Sequence, residues 1–194
     1  MDAIIEYFVS NFTAGPIAFS ISMVVLVLEI VIYQFKGMKA IVIGQCVSNF
    51  LVLLTYALGD GLSGAAVCAV ATLQTFLIYW FYQKKEKDVP SWFAISFVAV
   101  YLICSAFTYK SLVDIIPIGA AVLFAVSVVQ KTAWKYRVLM FVNCALWIGY
   151  DILIAAPIPI LVTHGIGVVS VVIGMIRLDL PKLLKTIILK GNIK

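Results

Sequence analysis

The side chains best placed for chemistry lie in the stretch Asn143-Cys144-Ala145-Leu146-Trp147-Ile148-Gly149-Tyr150-Asp151, which sets an amide, an indole, a phenol and a carboxylate among apolar residues. Asn143 and Tyr150 are two helical turns apart, and Trp147 falls between them on the same stripe. The run Asn49-Phe50-Leu51-Val52-Leu53-Leu54-Thr55-Tyr56 repeats the spacing, with Asn49 as far ahead of Asn143 as Tyr56 is of Tyr150. Paired amides can hydrogen-bond a polar solute from two sides. They can equally bond across helices and hold a bundle together, an interaction worth roughly 0.6–2 kcal/mol in a membrane. Gln45, one turn before Asn49, and Gln74 are weaker companions. Trp147, Tyr56 and Tyr150 can stack on a solute ring, and the two tyrosines can also mark the membrane surface.

Glu29 is the one charge deep within an apolar run, and a carboxylate there points to a gate or to proton coupling, unless it reaches a basic loop residue. Asp151 is either an entry-gate group or a solvated surface carboxylate. His164, the only histidine, titrates near neutrality when unperturbed and can exchange protons, or it can simply bond a neighbouring carbonyl. One histidine and scattered carboxylates cannot build a metal site, and no Cys-x-x-Cys spacing occurs. Cys46, Cys68, Cys104 and Cys144 all sit in apolar runs and read as free thiols. No nucleophile elbow, zinc-protease motif or phosphate-binding loop is present, so no enzyme and no cofactor is expected. A retinal protein needs a lysine in its last span, and 158–176 has none.

The elements that position these groups follow from composition. Of 194 residues, 64% are hydrophobic and 12% charged, against roughly half and a quarter in soluble domains, so the chain reads as an all-α integral membrane protein. The net charge of +5 is dispersed among loops, which argues against nucleic acid as a partner. Apolar runs at about 15–35, 40–58, 62–82, 91–109, 112–130, 135–155 and 158–176 predict seven transmembrane helices, each near the ~20 residues that a ~30 Å hydrocarbon core requires. Placing the N-terminus outside and the C-terminus inside puts every one of the 14 basic residues except Lys110 on the inner side.

Hydropathy, loop length and the two asparagines predict two parallel three-helix repeats joined by a linker helix, a 3+1+3 plan with the site at the repeat interface. The divisions are an interfacial segment 1–13, a first repeat 14–83, a loop and linker helix 84–110, a second repeat 111–177, and a basic amphipathic tail 178–194 that suits a lipid surface. No basic signal-peptide region opens the chain, which begins with Asp2 and Glu6.

This plan resembles the SWEET and PQ-loop superfamily of small transporters. The second half (a basic loop, then Asn143, Trp147 and Tyr150-Asp151, then the Pro157 and Pro159 turn) looks more specifically like the bacterial inner-membrane YgjV-type family. The second and sixth spans carry no proline, unlike the core helices of SWEET transporters. The resemblance implies a multi-pass protein of the bacterial inner membrane. The expected function is transport of a small polar solute, such as a sugar, nucleoside or vitamin, by a facilitator or proton-coupled carrier. The other reading is a non-transporting receptor or assembly factor acting through its basic inner loops and tail. The expected partners are the bilayer and the solute, and a homo-oligomer stays open.

Overall fold

The computed structural model describes residues 15–58, 62–85, 87–108, 112–153 and 158–184. The interfacial segment 1–13 and most of the tail therefore lie outside the described residues. Within them the chain is all-helical, with seven α-helices and no strand. These are α1 (Pro16–Ile32), α2 (Met38–Leu58), α3 (Leu62–Phe81), α4 (Ser91–Thr108), α5 (Ile115–Ser127), α6 (Ala133–Leu153) and α7 (Ile158–Gly174). Pro16 opens α1 in its first turn, where its missing N–H has no partner to lose. Short 3-10 turns follow α3 and precede α5, so the fifth apolar run is helical over a shorter stretch than 112–130. After Gly174 the last helix widens into a π-turn, Met175–Asp179, and runs on to residue 184. The boundary expected at 177/178 thus falls inside a continuous helix.

The exterior is apolar. Ile17, Ile95, Trp92 and Phe107 are more than half exposed, with Phe107 at 88%. Large apolar side chains on this scale belong against lipid rather than water. Met38–Thr55 of α2 is, among the described residues, the one helix both long and apolar enough to qualify as a span by itself, at mean hydropathy 1.6. Pro16–Ile32, Ser91–Phe107 and Ile115–Ser127 are shorter apolar helices.

Successive helices pack in two sets, α1 on α2 on α3 and α5 on α6 on α7, while α4 lies against α3 and α5 and α1 packs on α7. The larger core gathers Ile32, Tyr33, Ile41, Ile78, Tyr136 and Val171, among others, at the end where α1 and α3 finish and α2 and α6 begin. Gly44 lets α2 approach α1 closely, since a Cβ there would stand 2.7 Å from Ile32 Cγ1. The four cysteines are all free.

Arg137, one of the basic residues that the sequence assigns to the inner side, does not lie free at the surface. The helix α6 begins at Ala133, and Arg137 is fully buried one turn inside it. Its Nε donates to the Tyr33 carbonyl at 2.8 Å, its Nη2 to the Phe35 carbonyl, and its Nη1 to both carboxylate oxygens of Asp179 at 2.8 Å. The carbonyls at a helix C-terminus have no partner within the helix and carry the negative pole of its dipole. Arg137 therefore caps α1 while the π-turn brings its counter-ion from α7. Gly174 makes room for this arrangement: a Cβ there would lie 2.5 Å from the Tyr33 carbonyl oxygen and 3.1 Å from Arg137 Nε.

Four outcomes follow for thermal unfolding of the detergent-purified protein. Removing one partner of a buried pair costs about 3–5 kcal/mol, so Arg137→Ala should lower stability by that order. Arg137→Lys should recover little of it, because an ammonium cannot serve the forked set of acceptors. Gly174→Ala should cost about 1–3 kcal/mol from overpacking against backbone. Gly149→Ala in α6, with nothing within 4 Å of the new Cβ, should be neutral or gain up to about 1 kcal/mol from helix propensity.

Candidate functional site

Glu29 lies on α1, half-buried, and faces the interior. Ser48 Oγ of α2 donates to its Oε1 at 2.6 Å. The Tyr33 hydroxyl, one turn further along α1, and the Gln45 amide, one turn before Asn49 on α2, face the same carboxylate, and His164 of α7 is close enough to act on it electrostatically. The Tyr33 hydroxyl also meets Cys144 Sγ of α6 at 3.7 Å. Helices from both sets thus converge on one carboxylate. The ion pairs among the described residues, Lys131–Asp88 and Arg137–Asp179, do not involve it.

Two amide donors on α2, one turn apart, are unmatched. Gln45 Nε2, though turned toward Glu29, closes no hydrogen bond in the structure, and Asn49 Nδ2 is likewise buried without one. Residues four apart share a helix face, so both open toward the side of α2 that carries Gln45. A buried donor without an acceptor costs roughly 1–3 kcal/mol, which makes such a pair unusual in packing alone.

Trp147 of α6 stacks on His164 of α7, with ring centroids 5.5 Å apart and planes 13° from parallel. Tyr150 meets the edge of Trp147 at 5.8 Å. These aromatic groups form a platform that joins α6 to α7, adjoining the carboxylate through His164.

Not every residue singled out from sequence joins this group. Asn143 is buried and donates to the Ala120 carbonyl of α5 at 2.6 Å, so its amide N–H ties two neighbouring helices. Gln74 of α3 is fully buried and donates to the Ala125 carbonyl of α5 at 3.1 Å, leaving its own carbonyl oxygen unmatched. The equivalence of Asn49 and Asn143 does not extend to their bonding: one amide is engaged by backbone and the other is not. The side chains of Tyr56 and Asp151 lie outside the described residues.

Sequence reasoning passed over Tyr33 and Ser48. Tyr33 follows Glu29 by one helical turn, and Ser48 follows Gln45 by three residues. The same spacing argument that linked Asn143 to Trp147 and Tyr150 would have found both.

The comparisons with known proteins agree with the membrane reading. Residues 17–182 match the Imp-YgjV family, described as bacterial inner membrane protein. Neither a curated protein nor a solved structure matches the chain. A match running from α1 to the turns beyond α7 covers every helix described above, and the chain therefore belongs to the YgjV family of bacterial inner membrane proteins.

Proposed function

We propose that the protein is a carrier of a small polar solute, working by alternating access between α1–α3 and α5–α7, with its basic end toward the cytoplasm. Glu29 is the proton-coupling group. Gln45, Ser48 and Asn49 hold the solute, and Trp147 and His164 offer it a stacking face. The observation that carries this reading is an interior carboxylate bonded by Ser48 of α2, with two unmatched amide donors on that same helix, inside a bundle whose exterior is apolar. Intramembrane carboxylates of this kind mark ion and solute pathways, and a buried donor without an acceptor is complementary to a ligand that brings one. The site draws on α1, α2, α6 and α7, as a carrier that rocks one helix set against the other requires. Asn143 holds α5 to α6 within one set.

A thermal-shift screen of the detergent-purified protein against millimolar sugars, nucleosides, vitamins and amino acids tests the reading. A solute at about one hundred times its dissociation constant stabilises by about 2.7 kcal/mol, and at least one should do so with the wild type. Glu29→Gln and Asn49→Ala should abolish that shift while leaving the unliganded protein nearly as stable. Asn143→Ala should instead destabilise by roughly 0.6–2 kcal/mol and keep the shift. Absence of any stabilising solute, or a shift that survives Glu29→Gln, would overturn the assignment.

A further inference from the structure

The basic end of the bundle carries a second feature, independent of what the interior transports. A cleft of about 300 Å³ opens where the start of α2, the segment after α3 and the turn after α5 meet, and Lys39, Lys87, Lys131, Asp88, Gln83 and Gln130 are among its lining residues. The charges are unequal. Lys131 pairs with Asp88 at 2.5 Å, whereas Lys39 and Lys87 are exposed and make no ion pair among the described residues. Gln130 directs its Nε2 back to the Val126 carbonyl at 2.9 Å and so does not neutralise them. The cleft therefore holds one internal pair and two uncommitted ammonium groups.

Its depth is marked by neighbouring aromatics. Trp80 and Trp92, at the end of α3 and the start of α4, and Trp134, at the start of α6, are about half exposed, and Lys84 lies over the Trp80 ring at 4.3 Å. Indole rings in this setting sit at headgroup level. A cationic cleft at headgroup level, formed between helix ends and lined by both charged and apolar side chains, matches a phosphodiester with its acyl chains in the bilayer. We propose that Lys39, Lys87 and Lys131 form a seat for the headgroup of an anionic phospholipid of the phosphatidylglycerol kind.

The seat spans α2, the α3–α4 segment and the α5–α6 turn, so an occupied cleft ties the two helix sets together at this end. The Lys131–Asp88 pair is neutral as a unit. Lys39 and Lys87 supply the charge.

Native mass spectrometry of the full chain, released from detergent with short-chain phosphatidylglycerol or phosphatidylcholine, tests this. Wild type should retain phosphatidylglycerol over phosphatidylcholine. A surface lysine contributes about 1 kcal/mol to anionic lipid binding, or about fivefold, so Lys39→Gln/Lys87→Gln should weaken retention by about that factor per lysine. Lys135→Gln/Lys182→Gln removes equal charge away from the cleft and should leave the preference intact. All four lysines are exposed, and an unchanged melting temperature in either double variant verifies folding. If Lys39→Gln/Lys87→Gln does not fold, Lys87→Gln alone should still give the single-lysine loss. No preference in wild type, or equal losses in the two double variants, would replace the seat with diffuse surface attraction. Displacement of the lipid by millimolar glycerol phosphate would identify a free phosphate ester as the ligand and overturn the lipid assignment.

Discussion

The basic end of the bundle depends on one buried guanidinium. Withdrawing a cation from water costs several kcal/mol, repaid only when its donors are matched closely. Arg137 meets that condition with two backbone carbonyls beyond α1 and a bidentate carboxylate beyond α7. Each acceptor imposes something on the chain. The α1 terminus must stop at Tyr33 and turn its carbonyls inward. The last helix must take up an extra residue per turn so that Asp179 reaches back. Gly174 must remain without a side chain, since a Cβ would collide with the Tyr33 carbonyl. The exposed Lys131–Asp88 pair, 68% and 67% exposed, shows the contrast. It is screened by water and fixes little on its own.

Two polar regions of opposite character therefore share one apolar bundle. Around Arg137 the charges are matched and the geometry is closed. Around Glu29 a carboxylate takes a hydroxyl from Ser48, while the Gln45 and Asn49 donors beside it find no acceptor. In a low-dielectric interior the first arrangement is rigid, and the second is costly unless something else completes it. Matched charges thus lie at the helix ends, and the unmatched Gln45 and Asn49 donors lie within the bundle.

The fold class was legible because hydropathy records it directly. Each apolar run became a helix, and the free thiols followed from their apolar neighbours. Glu29, Gln45, Trp147 and His164 were legible as chemistry, since a polar residue in an apolar run demands a reason. Their meeting was not, because helical spacing relates residues along one helix and says nothing of which helices touch. The burial of Arg137 was not legible for a related reason. A basic residue near a loop reads as a topology signal, and only the π-turn that brings Asp179 to it reveals a buried pair. The Asn49 and Asn143 symmetry shows the limit of a repeat argument: equal positions in two helix sets fix equal spacing, yet α5 offers Asn143 a carbonyl where Asn49 Nδ2 meets no acceptor.

The seam between α1 and α7 shows how the two polar regions bear on each other. Gln34, just beyond α1, donates to the Ser170 carbonyl at 2.8 Å and to its hydroxyl at 3.1 Å, and Ser170 Oγ donates to the Ile30 carbonyl at 2.7 Å. These bonds and the Arg137 network occupy the same end of the seam, within about a turn of Gly174. Further along it, Glu29 of α1 and His164 of α7 act on each other electrostatically. In the carrier proposed above, a seam fixed at this end leaves two ways for α1–α3 to move against α5–α7. Either the sets pivot about the Arg137 end, or that end unlocks by parting Arg137 from Asp179. The first keeps the buried charges paired throughout and exposes Glu29 from the far side. The second leaves a buried cation unmatched unless water enters with the change, so the two modes differ in energy by the desolvation of one guanidinium.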